Sequence, residues 1–333
     1  MALQNKEIIL KVENLYKWFP LKRTIFDVIK KKPIKYVKAV DNVSIKMYKG
    51  QCMGLVGESG CGKSTLAKTV IRLYKPTSGK IIFEGVDFTS LIGENLRKKR
   101  TDIQMVFQDP YSSLNPRMSV KETLAEVIKY HKICETGKID SKISKLLDMV
   151  GILSKSSDRF PREFSGGQRQ RICIARALTV NPKLILADEP VSALDVSIQA
   201  QIINLLDDLR NELNLTILFI SHDLGVIRYL ADIVAVMYLG KIVEIGNAKE
   251  LFKFPAHPYT NVLINATPVI DPRKRSTEPV IKGEIPSPID IPPGCRFYLR
   301  CPFADDICKK VEPEIRLISK NRYVACHKPL LKN

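Results

Sequence analysis

The run Gly57-Glu-Ser59-Gly60-Cys61-Gly62-Lys63-Ser64-Thr65 constrains this chain more than any other feature. It follows an apolar stretch, Cys52–Val56, that reads as a buried strand, and it opens an apolar-periodic segment over 63–72 that reads as a helix. Glycines at these spacings let successive backbone N–H groups turn inward around phosphate oxygens, and the helix N-terminus adds its positive end. Lys63 is placed to reach β- and γ-phosphates, and the Ser64 hydroxyl to ligate magnesium. A glycine turn with no ligand is the plain alternative, but it requires neither the strand before it nor the Lys-Ser after it. A strand, a phosphate loop and a helix in this order predict an α/β fold with a largely parallel sheet.

The rest of the first 265 residues agrees. Strand-like runs recur at 81–83, 103–107, 184–187, 216–220 and 233–238, and helix-like runs at 120–130, 139–150, 168–178 and 197–211. The stretch 109–175 is almost wholly helical in pattern and reads as an inserted helical subdomain. Over 266–294 the texture changes: Pro268, Pro272, Pro279, Pro286, Pro288, Pro292 and Pro293 fall without any helical or strand period, which suggests an extended connector. A cysteine-bearing unit over 295–333 follows it.

A phosphate loop needs an acidic partner, and Lys183-Leu-Ile-Leu-Ala-Asp188-Glu189 supplies one: an apolar strand ending in two carboxylates. Asp188 suits the magnesium ion, and Glu189, one residue on, suits the polarisation of an attacking water. Adjacent acids could merely cap a strand end, although two at the edge of a buried strand seldom serve packing.

Phe164-Ser165-Gly166-Gly167-Gln168, followed by the helix through Leu178, resembles the signature motif of the ABC ATPases. That family joins such a sequence to a phosphate loop about a hundred residues earlier. Its other motifs are present in order. Gln108 resembles the Q-loop glutamine, which senses the γ-phosphate; Ser192-Ala-Leu-Asp195 resembles the D-loop; and His222 resembles the switch histidine that contacts the γ-phosphate. Taken singly, His222 could be a satisfied core histidine and Gln108 any loop glutamine. Phe19 lies where the family stacks an aromatic ring on adenine, with Tyr36 as a rival. The resemblance implies a P-loop NTPase of the ABC type: a RecA-like parallel core, an antiparallel β subdomain, an inserted helical subdomain and a small Cys-rich extension. It also implies ATP with Mg²⁺ as cofactor and Ser64, Gln108 and Asp188 as magnesium ligands. Lys63, Gln108, Glu189 and His222 are then the expected catalytic set.

Phe107-Gln-Asp-Pro-Tyr-Ser-Ser-Leu-Asn-Pro-Arg117 and His257-Pro-Tyr-Thr260 are similar to the oligopeptide/dipeptide importer branch, some members of which serve nickel or other small solutes. The branch implies a separate membrane permease, a second ABC ATPase subunit (the same chain or a related one) and, indirectly, an extracytoplasmic peptide-binding protein. One phosphate loop and one signature per chain fit a head-to-tail pair in which each signature closes over the other's ATP.

The net charge of +18 fits nucleotide phosphates, nucleic acid or an anionic membrane face, as well as scattered surface lysines. A soluble ABC protein acting on nucleic acid or ribosomes is therefore the rival class, but its usual second cassette or long coiled coil does not occur here. We expect no nucleic-acid partner. No apolar run approaches the ~18–20 residues that span a bilayer, and Lys6 and Glu7 precede the strand-like Ile8–Val12 where a leader would need apolar residues. The expected place is the cytoplasmic face of a membrane. Residues 20–38 form a basic segment with Leu21, Ile25, Val28 and Ile29 at helical spacing, suited to lipid headgroups or to a solvated loop.

Cys295, Cys301, Cys308 and Cys326 are spaced C-x5-C-x6-C-x17-C, with His327 adjoining the last. Four thiolates suit a [4Fe–4S] cluster or a structural zinc, and free cysteines in a small core are the third reading. Zinc ribbons favour close C-x2–4-C pairs, which are missing, and the importer tails that this one resembles hold a [4Fe–4S] cluster.

Overall fold

The computed structural model describes residues 7–23, 29–31, 33–266 and 286–330. Positions 24–28 and 32 of the basic segment, and 267–285 of the proline-rich stretch, lie outside the described residues. The chain forms two compact units, one comprising Glu7, Tyr48–Cys52 and Ser90–Ser221, the other Ile8–Met47, Met53–Thr89 and what is described of His222–Asn333.

In the first unit, the strands Ile103–Val106, Leu184–Asp188 and Thr216–Ile220 run parallel, in register from Ile103↔Leu184 to Val106↔Ala187 and from Leu184↔Thr216 to Asp188↔Ile220. Every residue of Leu184–Asp188 and of Thr216–Ile220 is buried, as near-continuous apolar runs must be when a parallel sheet is covered on both faces. The helices Val120–His131, Ile139–Met149, Gly166–Leu178 and Val196–Leu213 complete the unit. Val120–His131 starts on a capping box: Ser119 Oγ accepts from the Glu122 N–H at 3.1 Å and Glu122 accepts in return from the Ser119 N–H at 2.7 Å.

The second unit carries an antiparallel sheet in the order Tyr36–Tyr48, Ile8–Pro20, Ser78–Phe83, Val86–Asp87. Its long strand Ile8–Pro20 pairs with Ser78–Phe83 from Leu10↔Phe83 to Tyr16↔Ser78, with a register shift between Glu13 and Tyr16 where Asn14 takes φ 44°. Beside it, the strand leading into the phosphate loop pairs in parallel with Ile233–Tyr238, from Met53↔Ile233 to Val56↔Val236. Ile233–Tyr238 continues antiparallel into Lys241–Asn247.

The tail joins this unit through strands that its sequence pattern did not announce. Arg322–Val324 pairs antiparallel with Lys241–Asn247, and Arg316–Ser319 pairs with Arg322–Val324. The anchor is Glu244, which is fully buried: its carboxylate accepts from Arg322 Nη2 at 2.7 Å and from the backbone N–H groups of Ala256 and His257 at 3.0 and 2.8 Å. Burial pushes His257 down to about 3, so its neutral ring accepts the Tyr259 N–H at 3.0 Å and caps the helix Pro258–Asn265. Among the described residues, no helix is long and apolar enough to cross a membrane.

Candidate functional site

In the second unit, the phosphate loop connects the buried strand ending at Val56 to the helix Lys63–Val70. Gly57, Gly60 and Gly62 take φ of 154°, 78° and 110°. Gly57 and Gly62 admit no side chain: a Cβ there would lie 2.1 Å from the Met237 carbonyl oxygen and 2.0 Å from that of Ala39. The loop is thereby pressed against two neighbouring backbones. Lys63 is 4% exposed, and its Nζ donates to the Gly57 and Glu58 carbonyls at 2.8 and 3.0 Å, which holds the ammonium within the loop. Cys61 is buried beside it, 3.9 Å from Nζ, and burial raises its thiol pKa against the opposing pull of Lys63. Ser59 lies in the loop, and Ser64 and Thr65 in the first turn of the helix Lys63–Val70. His222 is exposed, one residue before the Asp223 cap of the helix Leu224–Leu230.

Two aromatic groups of this unit lie on opposite faces of its long strand. Phe19 packs edge-to-face on Tyr74 at 5.4 Å, with Lys17 over its ring. Trp18, on the other face of the strand, lies 6.1 Å from Tyr36 and donates Nε1–H to Asp41 at 3.1 Å. The Asp41 N–H donates to Gly240 O, and the Gly240 N–H to Cys61 O, both at short range (2.9 and 2.8 Å), so a hydrogen-bonded path joins Trp18 to the phosphate loop. Strand alternation would have separated Trp18 from Phe19, but nothing in the sequence says which of the two faces leads to the loop.

In the first unit, Asp188 is 3% exposed at the end of its strand. Glu189 follows at φ 46°, an unfavourable setting for a residue with a side chain, held by its N–H donating to Ile220 O at 3.1 Å. The turn swings the carboxylate off the strand axis. Gln108 Nε2 donates to Glu189 Oε2 at 3.2 Å and to Ser192 Oγ at 3.3 Å, and Ser192 Oγ donates to Glu189 O at 3.1 Å. Gln108, Glu189 and Ser192, separated by 81 and 84 residues in the two Gln108 contacts, thus form one polar cluster.

The helix Gly166–Leu178 begins on a second capping box. Ser165 Oγ accepts the Gln168 N–H at 3.3 Å, and Gln168 Oε1 accepts the Ser165 N–H at 3.0 Å. A Cβ on Gly167 would meet Ile198 Cγ2 at 2.4 Å, and one on Gly166 would meet Leu194 Cδ2 at 3.2 Å, so the segment holding Asp195 packs on the glycines of this helix start. Asp195 itself is exposed at the N-terminal end of Val196–Leu213. Arg169 of the same helix lies 3.7 Å over the Tyr111 ring, which ties the segment after Gln108 to the signature helix.

The four tail cysteines line one pocket with His327 and Phe297. The Cys295 N–H donates to Cys308 O at 2.8 Å, which brings the two chain segments together. Burial pushes Cys295 up to about 12 and Cys326 up to about 11, and also raises Cys301 and Cys308. Among the described residues, no group of three or more His, Cys, Asp or Glu is arranged to hold a metal ion.

A glycine loop before a helix, an acid pair closing a buried parallel strand and a glycine-started signature helix define an ABC-type ATPase cassette. The model of the ABC transporter family matches residues 40–192, and that of the oligopeptide/dipeptide transporter C-terminal region matches residues 243–308. The oligopeptide transport ATP-binding protein AppF of Bacillus subtilis is 51% identical over 332 residues, spanning 98% of this chain and 99% of the relative. A probable peptide ABC transporter ATP-binding protein of Sinorhizobium fredii, y4tS, is 47% identical over 96% of this chain and 90% of its own length. Among solved structures, cbiO1 of Clostridium perfringens, part of an ABC transporter complex, matches at TM-score 0.63 and 28% identity, covering 74% of this chain and 92% of that one. The cassette MJ0796, in a dimeric post-hydrolysis state bound to ADP and Pi, matches at TM-score 0.61 and 28% identity over 72% of this chain and 99% of its own. The chain belongs to the family of ATP-binding subunits of oligopeptide/dipeptide ABC transporters, and it is an ATPase of that family.

Proposed function

We propose that this chain binds ATP and magnesium, pairs head to tail with a second ABC ATPase subunit, and uses hydrolysis to energise uptake of dipeptides or oligopeptides through a separate membrane permease. The observation that carries the reading is the Gln108–Glu189–Ser192 cluster: a carboxylate turned off the end of a buried strand and held by a glutamine at 3.2 Å. Glu189 is the general base that orients water, and Gln108 reports on the γ-phosphate. Lys63 and the loop residues Gly57, Ser59, Gly60, Cys61, Gly62, Ser64 and Thr65 hold the β- and γ-phosphates, and His222 contacts the γ-phosphate. Ser64, Asp188 and Gln108 hold magnesium, which supplies charge neutralisation when bound. Ser165, Gly166, Gly167 and Gln168 present a helix start to the partner's nucleotide, with Asp195 beside them. For adenine, the Trp18–Tyr36 pair rivals Phe19, because its hydrogen bonds run to the loop while Phe19 packs on Tyr74.

The proposed layout is a cassette over 1–265 with its helical subdomain over about 109–175, a connector over 266–294 and a four-cysteine extension over 295–333. The chain then sits on the cytoplasmic face of the membrane, reached by an extracytoplasmic peptide-binding protein only through the permease. Four cysteines line one pocket, and because the importer tails that this one resembles hold a [4Fe–4S] cluster, that cluster rather than a structural zinc is the guest we assign to them.

The test is peptide uptake and ATP turnover in cells and vesicles carrying the permease with wild-type chain or Glu189→Gln. Loss of both with the variant is expected. Uptake that persists with the variant would remove the motor role.

A further inference from the structure

The phosphate loop is gripped from outside by an arginine of the cysteine-bearing tail. Both carboxylate oxygens of Glu58, the second residue of the loop, are taken by Nη1 and Nη2 of Arg300 at 2.8 Å. The pair is largely withdrawn from water, the two side chains being 7% and 19% exposed for Arg300 and Glu58. The same guanidinium donates to the Tyr238 hydroxyl at 3.3 Å, and the Glu58 N–H donates to the Tyr259 hydroxyl at 2.8 Å. Arg300 closes the turn Tyr298–Arg300 and is followed at once by Cys301. Beside Cys295, Arg296 makes a buried ion pair with Asp41 and donates to Leu239 O. Each of these arginines therefore adjoins a pocket cysteine and reaches the loop or the path from it to Trp18.

A glutamate in a loop built for triphosphate is an electrostatic liability, since its charge sits on the backbone that holds Lys63 and opposes the anion the loop must admit. A bidentate guanidinium cancels that charge and fixes the carboxylate's direction, and with it the first turn of a glycine-rich loop. Removing the arginine would leave a half-buried carboxylate uncompensated beside the phosphates. We propose that Arg300 is a positioning residue for ATP binding: by neutralising and orienting Glu58 it sets the affinity of the phosphate loop, and so gives the four-cysteine tail a direct hold on nucleotide binding. This rests on the nucleotide reading of the loop given above.

The experiment measures displacement of a fluorescent ATP analogue by ATP with magnesium, on full-length wild type, Arg300→Gln, Glu58→Gln and the double variant. Arg300→Gln is expected to weaken ATP by about tenfold or more, as for truncation of one partner of a desolvated charge pair. Glu58→Gln is expected to stay within about threefold of wild type, and the double variant to return to within about threefold of Glu58→Gln, the non-additivity of a coupled pair. Unchanged affinity in Arg300→Gln would overturn the proposal. So would a double variant as weak as Arg300→Gln, because Arg300 would then act only by holding the tail together. If circular dichroism shows Arg300→Gln unfolded, Arg300→Met, which keeps the length of the side chain but not its charge, is read by the same rule with and without Glu58→Gln. Failure of the wild type itself to bind ATP would be a different result, bringing down the nucleotide reading first.

Discussion

The phosphate loop and the cysteine pocket lie in the same unit and are built on opposite principles. The loop is one consecutive run whose shape is set by its own backbone: positive φ at Gly60 and Gly62, a Cβ-excluding contact with Ala39, and Lys63 already donating to its own carbonyls. The pocket draws thiols from positions 295, 301, 308 and 326 and holds them in their protonated range by burial. A site made by local backbone geometry stands ready before its ligand arrives. A site made by distant side chains in a tail with little core of its own needs the guest to close it.

Changes at the two sites should therefore differ in kind. The largest effect is expected from Glu189→Gln, which leaves both sites built and removes the base: turnover falls by about 10²–10⁴-fold while ATP binding persists. Phosphate release together with gel filtration in ATP checks this, and a homodimer model fails if the variant stays monomeric. Gly62→Ala comes next. Its Cβ would sit 2.0 Å from the Ala39 carbonyl oxygen at φ 110°, and we expect nucleotide binding to be lost with about 1–3 kcal/mol of stability. Calorimetric binding and a denaturant melt read both quantities; a variant that binds normally would break the claim that backbone geometry makes this site.

Cys295→Ser should do the reverse, stripping iron and sulfide from protein purified without oxygen while ATP affinity changes less than in Gly62→Ala. Metal analysis beside the same binding assay tells the two apart, and one zinc in place of iron would redefine the guest without moving the comparison. Ser165→Ala, which removes one half of a capping box, is expected to cost about 1 kcal/mol, measured by urea melts.

The smallest effect is pH dependence of the metal-free chain. Burial raises Cys295 from 9.0 to about 12 and Cys326 from 9.0 to about 11, so the folded state keeps protons that the unfolded state gives up. That stability is present below pH 9 and is lost as pH climbs through the folded values. The melting temperature of metal-free protein should fall between pH 9 and pH 11 more steeply than that of a variant with all four cysteines changed to serine.

Much of the nucleotide machinery was legible because each part is local. Cys52–Thr65 carries its own strand, turn and helix start, and Ser165 with Gln168 spells out its own cap. The helices Val120–His131 and Ile139–Met149 announce themselves by apolar spacing alone. The tail was less legible. Its strands Arg316–Ser319 and Arg322–Val324 are short and mixed in polarity, and they form because Lys241–Asn247 offers an edge and Glu244 a buried charge for Arg322.

What the sequence determined by itself is the chemistry on offer: a phosphate loop, an acid pair, a signature helix and four thiols, each written in neighbouring residues or in residue type. Tertiary structure decided which of those groups meet. Gln108 finds Glu189 across 81 residues, Trp18 rather than Phe19 connects to the loop, and Arg300 crosses 242 residues to clamp Glu58. Periodicity specifies the face of an element, but a contact between distant elements depends on how their faces pack, and that is settled only when the whole core closes around them.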